Sequence, residues 1–135
     1  MIKGIWKLVL LSLLAVLMFS SCKKEEPINS PSNRLHGEWN LMQYSAGLAG
    51  LENYNKDDVT WTFNSNGTVD VVINVALNNS HMPIQSNTTD TYIMNGTKVK
   101  LASIDYDYDI SFDNGKLILS NSPAVDGPSI LFERD

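Results

Sequence analysis

The chain has 135 residues, of which 43 % are hydrophobic and 19 % charged, with a formal charge of −5; that supplies one packed core and excludes a multidomain enzyme. Two of its 10 basic side chains, Lys3 and Lys7, lie in the N-terminal segment, leaving 8 against 15 acidic ones. This balance argues against a nucleic-acid partner, whose phosphates must be met by Lys and Arg. The first element in chain order is the segment 1–21: two lysines within Met1 to Lys7, then an almost unbroken apolar run of 12 residues from Leu8 to Phe19, interrupted by Ser12, then Ser20 and Ser21. It reads as a cleaved signal peptide. A membrane-spanning helix needs ~20 apolar residues, and Lys23-Lys24-Glu25-Glu26 blocks any extension of this run.

Phe19-Ser20-Ser21-Cys22 resembles the lipobox of bacterial lipoproteins, with Phe19 standing where Leu is usual; such looser boxes are common in Bacteroidota proteins, which this chain resembles. The resemblance implies that Cys22, the sole cysteine, is diacylated on sulfur (palmitate or a similar acyl group) and becomes the mature N-terminus. The alternative is a secreted protein with an unpaired thiol, a liability that acylation removes. Residues 22–33 then form a polar, proline-punctuated tether without apolar area to bury. Lys24-Glu25-Glu26 is similar to the signal that sends some Bacteroidota lipoproteins to the cell surface, and reads equally as a solvated charged spacer. Lys23 occupies the place of the Asp that retains many Gram-negative lipoproteins in the inner membrane. The expected location is the outer membrane, with contact through the lipid anchor alone.

From residue 34 to 135 a period of two dominates, and Asn-Gly pairs at 66–67, 95–96 and 114–115 separate alternating apolar runs, the signature of β-hairpins. Eight strands are expected. Trp39 and Leu41 mark the first, Val59, Trp61 and Phe63 the second, and Val69, Val71, Ile73, Val75 and Leu77 one face of a long third. The fourth spans about Thr89 to Asn95 and the fifth Thr97 to Leu101. Tyr106, Tyr108, Ile110 and Phe112 mark the sixth, Leu117 and Leu119 the seventh, Ile130 and Phe132 the eighth. Between the first two, residues 47–56 show apolar spacing near 3.6 through Leu48, Leu51 and Tyr54, which predicts one or two helical turns.

One-sided alternation over eight consecutive strands predicts an all-β, antiparallel up-and-down barrel that closes on itself. Strand parity then places all three Asn-Gly turns at one end. The other end receives the longer connections 47–58, 78–88, 102–105 and 121–128, carrying Leu48, Leu51, Tyr54, His81, Met82 and Ile84 as exposed apolar rim. A tight end and a loop-rimmed end describe a cup. By the same parity Trp39, Phe63 and Phe112 lie toward the floor, Trp61, Ile73 and Tyr108 at middle depth, and Gln43, Val75, Leu77, Tyr106 and Leu119 toward the mouth. A pocket would take its polar specificity from Gln43 and the tyrosine hydroxyls. A barrel of this width is either wide enough for one small ligand or filled by its own side chains.

The segments Leu35-His36-Gly37-Glu38-Trp39-Asn40-Leu41, Thr62-Phe63-Asn64-Ser65-Asn66-Gly67-Thr68-Val69, Tyr92-Ile93-Met94-Asn95-Gly96, Gly115-Lys116-Leu117-Ile118-Leu119 and Leu131-Phe132-Glu133-Arg134 look like the small lipocalin-like lipoproteins of Bacteroidota. The resemblance covers nearly all of 34–135. It implies that Trp39, in the family's Gly-x-Trp motif with Gly37, plugs the barrel floor, and that Arg134 packs across it, as an indole face attracts a guanidinium. The chain is shorter than full lipocalins, and the later lipocalin motifs and C-terminal helix are missing from it. The implied function is non-catalytic binding of a small hydrophobic or amphipathic ligand. A filled barrel that binds a protein partner at the cell envelope is the alternative.

Other chemistry finds no support in the sequence. Asp105, Asp107 and Asp109 alternate as in a calcium loop, but Ile110 takes the sixth position, where Gly is required, and Lys116 the twelfth, where a bidentate Glu is required. As a strand, the segment turns tyrosines inward and aspartates to water. His36 and His81, the only histidines, have no zinc-ligand or triad spacing, and Asp57-Asp58 are adjacent, unlike carboxylates facing across a cleft. No metal, cofactor or catalytic residue is expected.

Overall fold

The computed structural model describes residues 27–78 and 81–135, so the expectations for the signal segment and Cys22 lie outside the described residues. A short helix, α1 (Pro31–Leu35), precedes nine strands: β1 (Gly37–Ser45), β2 (Leu51–Asn53), β3 (Val59–Phe63), β4 (Thr68–Ile73), β5 (Thr88–Asn95), β6 (Lys98–Leu101), β7 (Asp107–Asp113), β8 (Lys116–Ser120) and β9 (Ser129–Glu133). Every pairing is antiparallel between neighbours, and β1 pairs with β9 to close the wall. The closed eight-stave barrel is therefore as expected, and closure leaves no long free edge. The extra strand is half a stave. β2 pairs with the upper part of β1 and β3 with the lower part, on the same side, so the two form one interrupted stave.

Residues 47–56, expected as helical turns, form a 3₁₀ turn at Gly47–Ala49 followed by β2. The stave breaks because the side chains at its middle capture the backbone. Asp57 takes φ +67°, its N–H donates to the buried Asn40 Oδ1 at 2.9 Å, and the Asn55 N–H donates to Asp58 Oδ2 at 2.8 Å. The local Asn55–Asp58 bond and the long-range bond to Asn40 of β1 both give the backbone partners other than a sheet ladder.

The Asn-Gly turns join β3 to β4, β5 to β6 and β7 to β8, all at the end where β1 begins. In the last of them Asn114 and Gly115 both have positive φ, 46° and 80°, the backbone that matches a hairpin's twist and that Asn and Gly reach at least cost. The expected end of the tether is ordered. Pro31 opens α1, the Ser30 hydroxyl accepts from the Asn33 N–H at 3.3 Å, and Leu35 is fully buried. Proline suits the first helical turn and serine its cap.

At the floor the chain ends meet. The Trp39 Nε1–H donates to the Leu35 carbonyl at 2.7 Å. The Arg134 guanidinium lies 3.7 Å from the centre of the Trp39 ring, and its Nη2 donates to the Arg34 and His36 carbonyls, each at 3.0 Å. Arg34 covers Phe112 at 4.2 Å. Gly37, at φ +111°, carries the chain past Arg134 where a side chain would be strained. Above this clasp Trp61 lies 5.2 Å from Phe132 and Phe63 5.3 Å edge-on to Tyr92.

Candidate functional site

Two local events set the geometry at the mouth. The first is a bulge in β1: Leu41 pairs with Phe132 and Gln43 with Leu131, leaving Met42 unmatched on the β9 side. A bulge reverses the inside-outside order beyond it. Trp39, Leu41 and then Tyr44 face the core, and Gln43 turns out. Gln43 donates to Asn53 Oδ1 of β2 at 3.0 Å on the outer wall, so it is corrected from the expected pocket, and Tyr44 stands in its place.

The second event ends β4 at Ile73. The Ile73 N–H donates to Asn87 Oδ1 at 2.7 Å and Asn74 is tied to the neighbouring stave, its N–H to the Asp58 carbonyl and its Nδ2 to the Asp57 carbonyl, both at 2.8 Å. Side-chain partners replace the ladder and the chain leaves the wall. Val75, expected on an inner face, is 36 % exposed in the following loop, whereas Ile73 and Leu77 still pack on the core's rim.

Ahead of β5, residues 81–87 cover the gap as a cap. Met82 and Ile84, expected as exposed rim, are 3 % and 6 % exposed within the core, and the Tyr44 hydroxyl donates to the His81 carbonyl at 2.6 Å. Ile104 from the β6–β7 connection joins them. Leu48 and Leu51 do remain exposed, together with Val125, while Tyr54 is half-buried with its hydroxyl on Glu52 Oε2 at 2.6 Å.

Beneath the cap the remaining expected pocket residues come together as packed core. Trp61, Tyr108 and Leu119 are 1 %, 0 % and 0 % exposed. A void against them wide enough for water would leave their surfaces reachable, so the barrel is filled at that depth by its own side chains. The open cup is thus corrected to a capped one: rim side chains occupy the mouth. Tyr106 and Tyr108 meet edge to face at 5.2 Å with their hydroxyls 3.2 Å apart. Burial first, then the hydrogen bond with Tyr106, pushes the Tyr108 hydroxyl well above the ordinary tyrosine range; burial also raises Tyr44, assisted by Tyr106 and Glu52. Both therefore stay protonated donors at neutral pH.

Asp107 and Asp109, part of the rejected calcium pattern, lie on the outer part of β7, where Asp109 Oδ1 accepts from Lys98 Nζ at 2.8 Å. Among the described residues no group of three or more His, Cys, Asp or Glu side chains is placed to hold a metal, and no helix is long and apolar enough to cross a membrane.

Two carboxylates brace the β4–β5 wall from opposite faces: Asp70 pairs with Thr89 on the outer side, and Asp90 lies opposite buried Val69 on the inner side at the mouth. Asp70 is held below the ordinary value of 3.8, first by the Thr89 hydroxyl and then by the Asn64 amide. For Asp90 burial pushes upward, but bonds from the Ser103 hydroxyl and N–H and the Thr91 N–H bring the group below that value. A carboxyl with a depressed folded pKa stabilises the fold above its unfolded value, and that stability is lost as pH falls through the folded pKa. The urea midpoint is expected to hold at pH 5–6 and to drop below about pH 4, less steeply in Asp70→Asn and Asp90→Asn. A flat midpoint down to pH 2.5, or the same slope in both variants, would contradict this.

No protein-family model and no curated protein sequence matches the chain. Among solved structures it is similar to a lipocalin-like protein from Bacteroides uniformis ATCC 8492, with a TM-score of 0.51 and 17 % identity over 76 % of this chain and 99 % of that one. At that identity the likeness establishes the lipocalin-like fold, the architecture derived above from strand pairing.

Proposed function

We propose that this chain is a lipid-anchored, non-catalytic protein of the bacterial outer membrane whose barrel takes up a small hydrophobic or amphipathic molecule at its mouth. The observation that carries the binding reading is the cap: the mouth is shut by Met82 and Ile84 from a loop and not by wall. A guest that displaces these two side chains replaces apolar contacts with apolar contacts and meets the Tyr44, Tyr106 and Tyr108 hydroxyls beneath. Methionine suits such a seat because its unbranched thioether adapts to irregular neighbours. The lipobox-like stretch before Cys22 supports the anchor. Because α1 joins the barrel at its floor, a membrane-tethered chain directs the mouth away from the bilayer.

Native mass spectrometry and tryptophan-fluorescence titration of the full chain against fatty acids, alcohols, amines and sterols test the binding reading. A saturable ligand-dependent mass shift with altered tryptophan emission is the expected result. No adduct and no titration across the panel would refute it. The filled interior, together with Leu48 at 93 %, Leu51 at 57 % and Val125 at 76 % exposure near the mouth, favours a second reading, a solid barrel that binds a protein by its rim. Cross-linking in cells from position 48 or 125 distinguishes the two: a discrete protein adduct supports the second, and none opposes it.

A further inference from the structure

Outside the cap, a groove of about 280 Å³ lies in the seam between residues 81–87 and the β5 wall, lined among others by Ile84, Gln85, Ser86, Thr88, Asp90 and Ser103. Its composition is lopsided. Pro83 and Ile84 provide an apolar base, hydroxyls and one amide form the sides, Asp90 is the one carboxylate, and no basic side chain contributes. Ile84 belongs at once to this groove and to the buried plug of the mouth, so a guest that displaces Ile84 would join the groove to the mouth.

Asp90 is fixed in place. Its Oδ2 accepts from the Ser103 hydroxyl at 2.6 Å and the Ser103 N–H at 3.1 Å, and its Oδ1 from the Thr91 N–H at 2.8 Å. Each carboxylate oxygen accepts two bonds with ease, so Oδ1 keeps a lone pair for a ligand donor. Thr89, also on the lining, donates to the second carboxylate, Asp70. The Asp90 charge, with no basic side chain on the lining, gives this seam a local potential that attracts cations and repels carboxylate and phosphate headgroups.

We propose that this groove is the headgroup subsite of the mouth, and that the preferred guest is a cationic amphiphile: an ammonium group on Asp90 among the Ser86, Thr88 and Ser103 hydroxyls, and an aliphatic tail that displaces Ile84 and Met82 into the barrel. This inference rests on the binding reading above and gives it a ligand class. A fatty acid has the same tail, but its head would stand beside Asp90 with both charges incompletely screened, which lowers its affinity.

The experiment uses three probes of one tail length, octylammonium, octanol and octanoate, titrated calorimetrically into the full chain at low ionic strength. Octylammonium is expected to bind roughly fivefold or more tightly than octanoate, with octanol between, as befits one partly exposed charge pair. Asp90→Asn is expected to remove most of that preference. Ser86→Lys, an exposed position outside the Asp90 hydrogen bonds, is expected to reverse it even if Asp90→Asn fails to fold. Equal affinities for the three probes, unmoved by Ser86→Lys, would overturn the headgroup inference and leave barrel binding intact. No binding of any octyl probe would overturn both.

Discussion

Trp61→Ala is expected to destabilise the barrel by about 3–5 kcal/mol, the range for removing a large buried aromatic from a packed core. Trp61 is 1 % exposed, sits opposite Trp39 in the β1–β3 register, and touches rings on both sides, with Phe132 at 5.2 Å and Phe63 at 6.2 Å. Neighbours fixed by closed-barrel pairing have little freedom to collapse into the vacated space, which places the loss toward the upper part of that range. For a domain whose total stability is about 5–15 kcal/mol, this is about a quarter of it or more, with the melting temperature lowered on the order of 20 °C. Urea denaturation followed by near-ultraviolet circular dichroism measures the effect. Val72→Ala is the control, because Val72 lies on the outer face of β4 at 41 % exposure and its truncation is expected to stay within about 0.5 kcal/mol. Equal midpoints for Trp61→Ala and the control would mean that the barrel centre is not close-packed.

The features that sequence alone disclosed are those in which one local rule acts undisturbed. Alternation in Val59-Thr60-Trp61-Thr62-Phe63 gives an inward and outward series with no break, and the Asn-Gly pairs name their turns because few other residues tolerate positive φ there. Gly37, Trp39 and Arg134 were legible through their resemblance to a known motif, and Arg134 lies 3.7 Å from the centre of the Trp39 ring. Gln43 and Val75 were not legible, for a common reason. Both lie just past a point where hydrogen bonding changes while the apolar pattern does not. Leu41-Met42-Gln43-Tyr44 accommodates either parity, and the unmatched Met42 decides between them only through the pairing with β9. Val75 and Leu77 continue the alternation of β4, but the ladder has been diverted by Asn74 and Asn87, whose bonds reach residues 16 or 14 positions away in sequence. A window of five or six residues contains no sign of such partners. Met82 and Ile84 carried a weaker signal: large apolar side chains in a loop, which burial against an incomplete wall explains better than exposure does.

Cys22→Ser carries the largest expected effect on location. The wild-type chain is expected to incorporate radiolabelled palmitate and to sediment with outer membranes, whereas Cys22→Ser loses the label and the outer-membrane fraction. The reason is quantitative. The apolar run from Leu8 to Phe19, 12 residues, reaches about 18 Å as a helix at 1.5 Å per residue, short of the ~30 Å hydrocarbon core. On the proposed lipoprotein reading, stable attachment would rest on acyl chains, each buried methylene contributing about 0.8 kcal/mol, with two chains holding where one would exchange. The exposed large apolar side chains among the described residues, Ile28, Leu48, Leu51, Val72, Val75, Ile93 and Val125, are spread over the tether, rim, loop and outer wall. Charge opposes adsorption as well, since a surplus of carboxylates is repelled by anionic headgroups. If Cys22→Ser still fractionates with outer membranes after a high-salt wash, the anchor is elsewhere and the lipoprotein reading fails, while the capped barrel and its ligand tests stand unaffected.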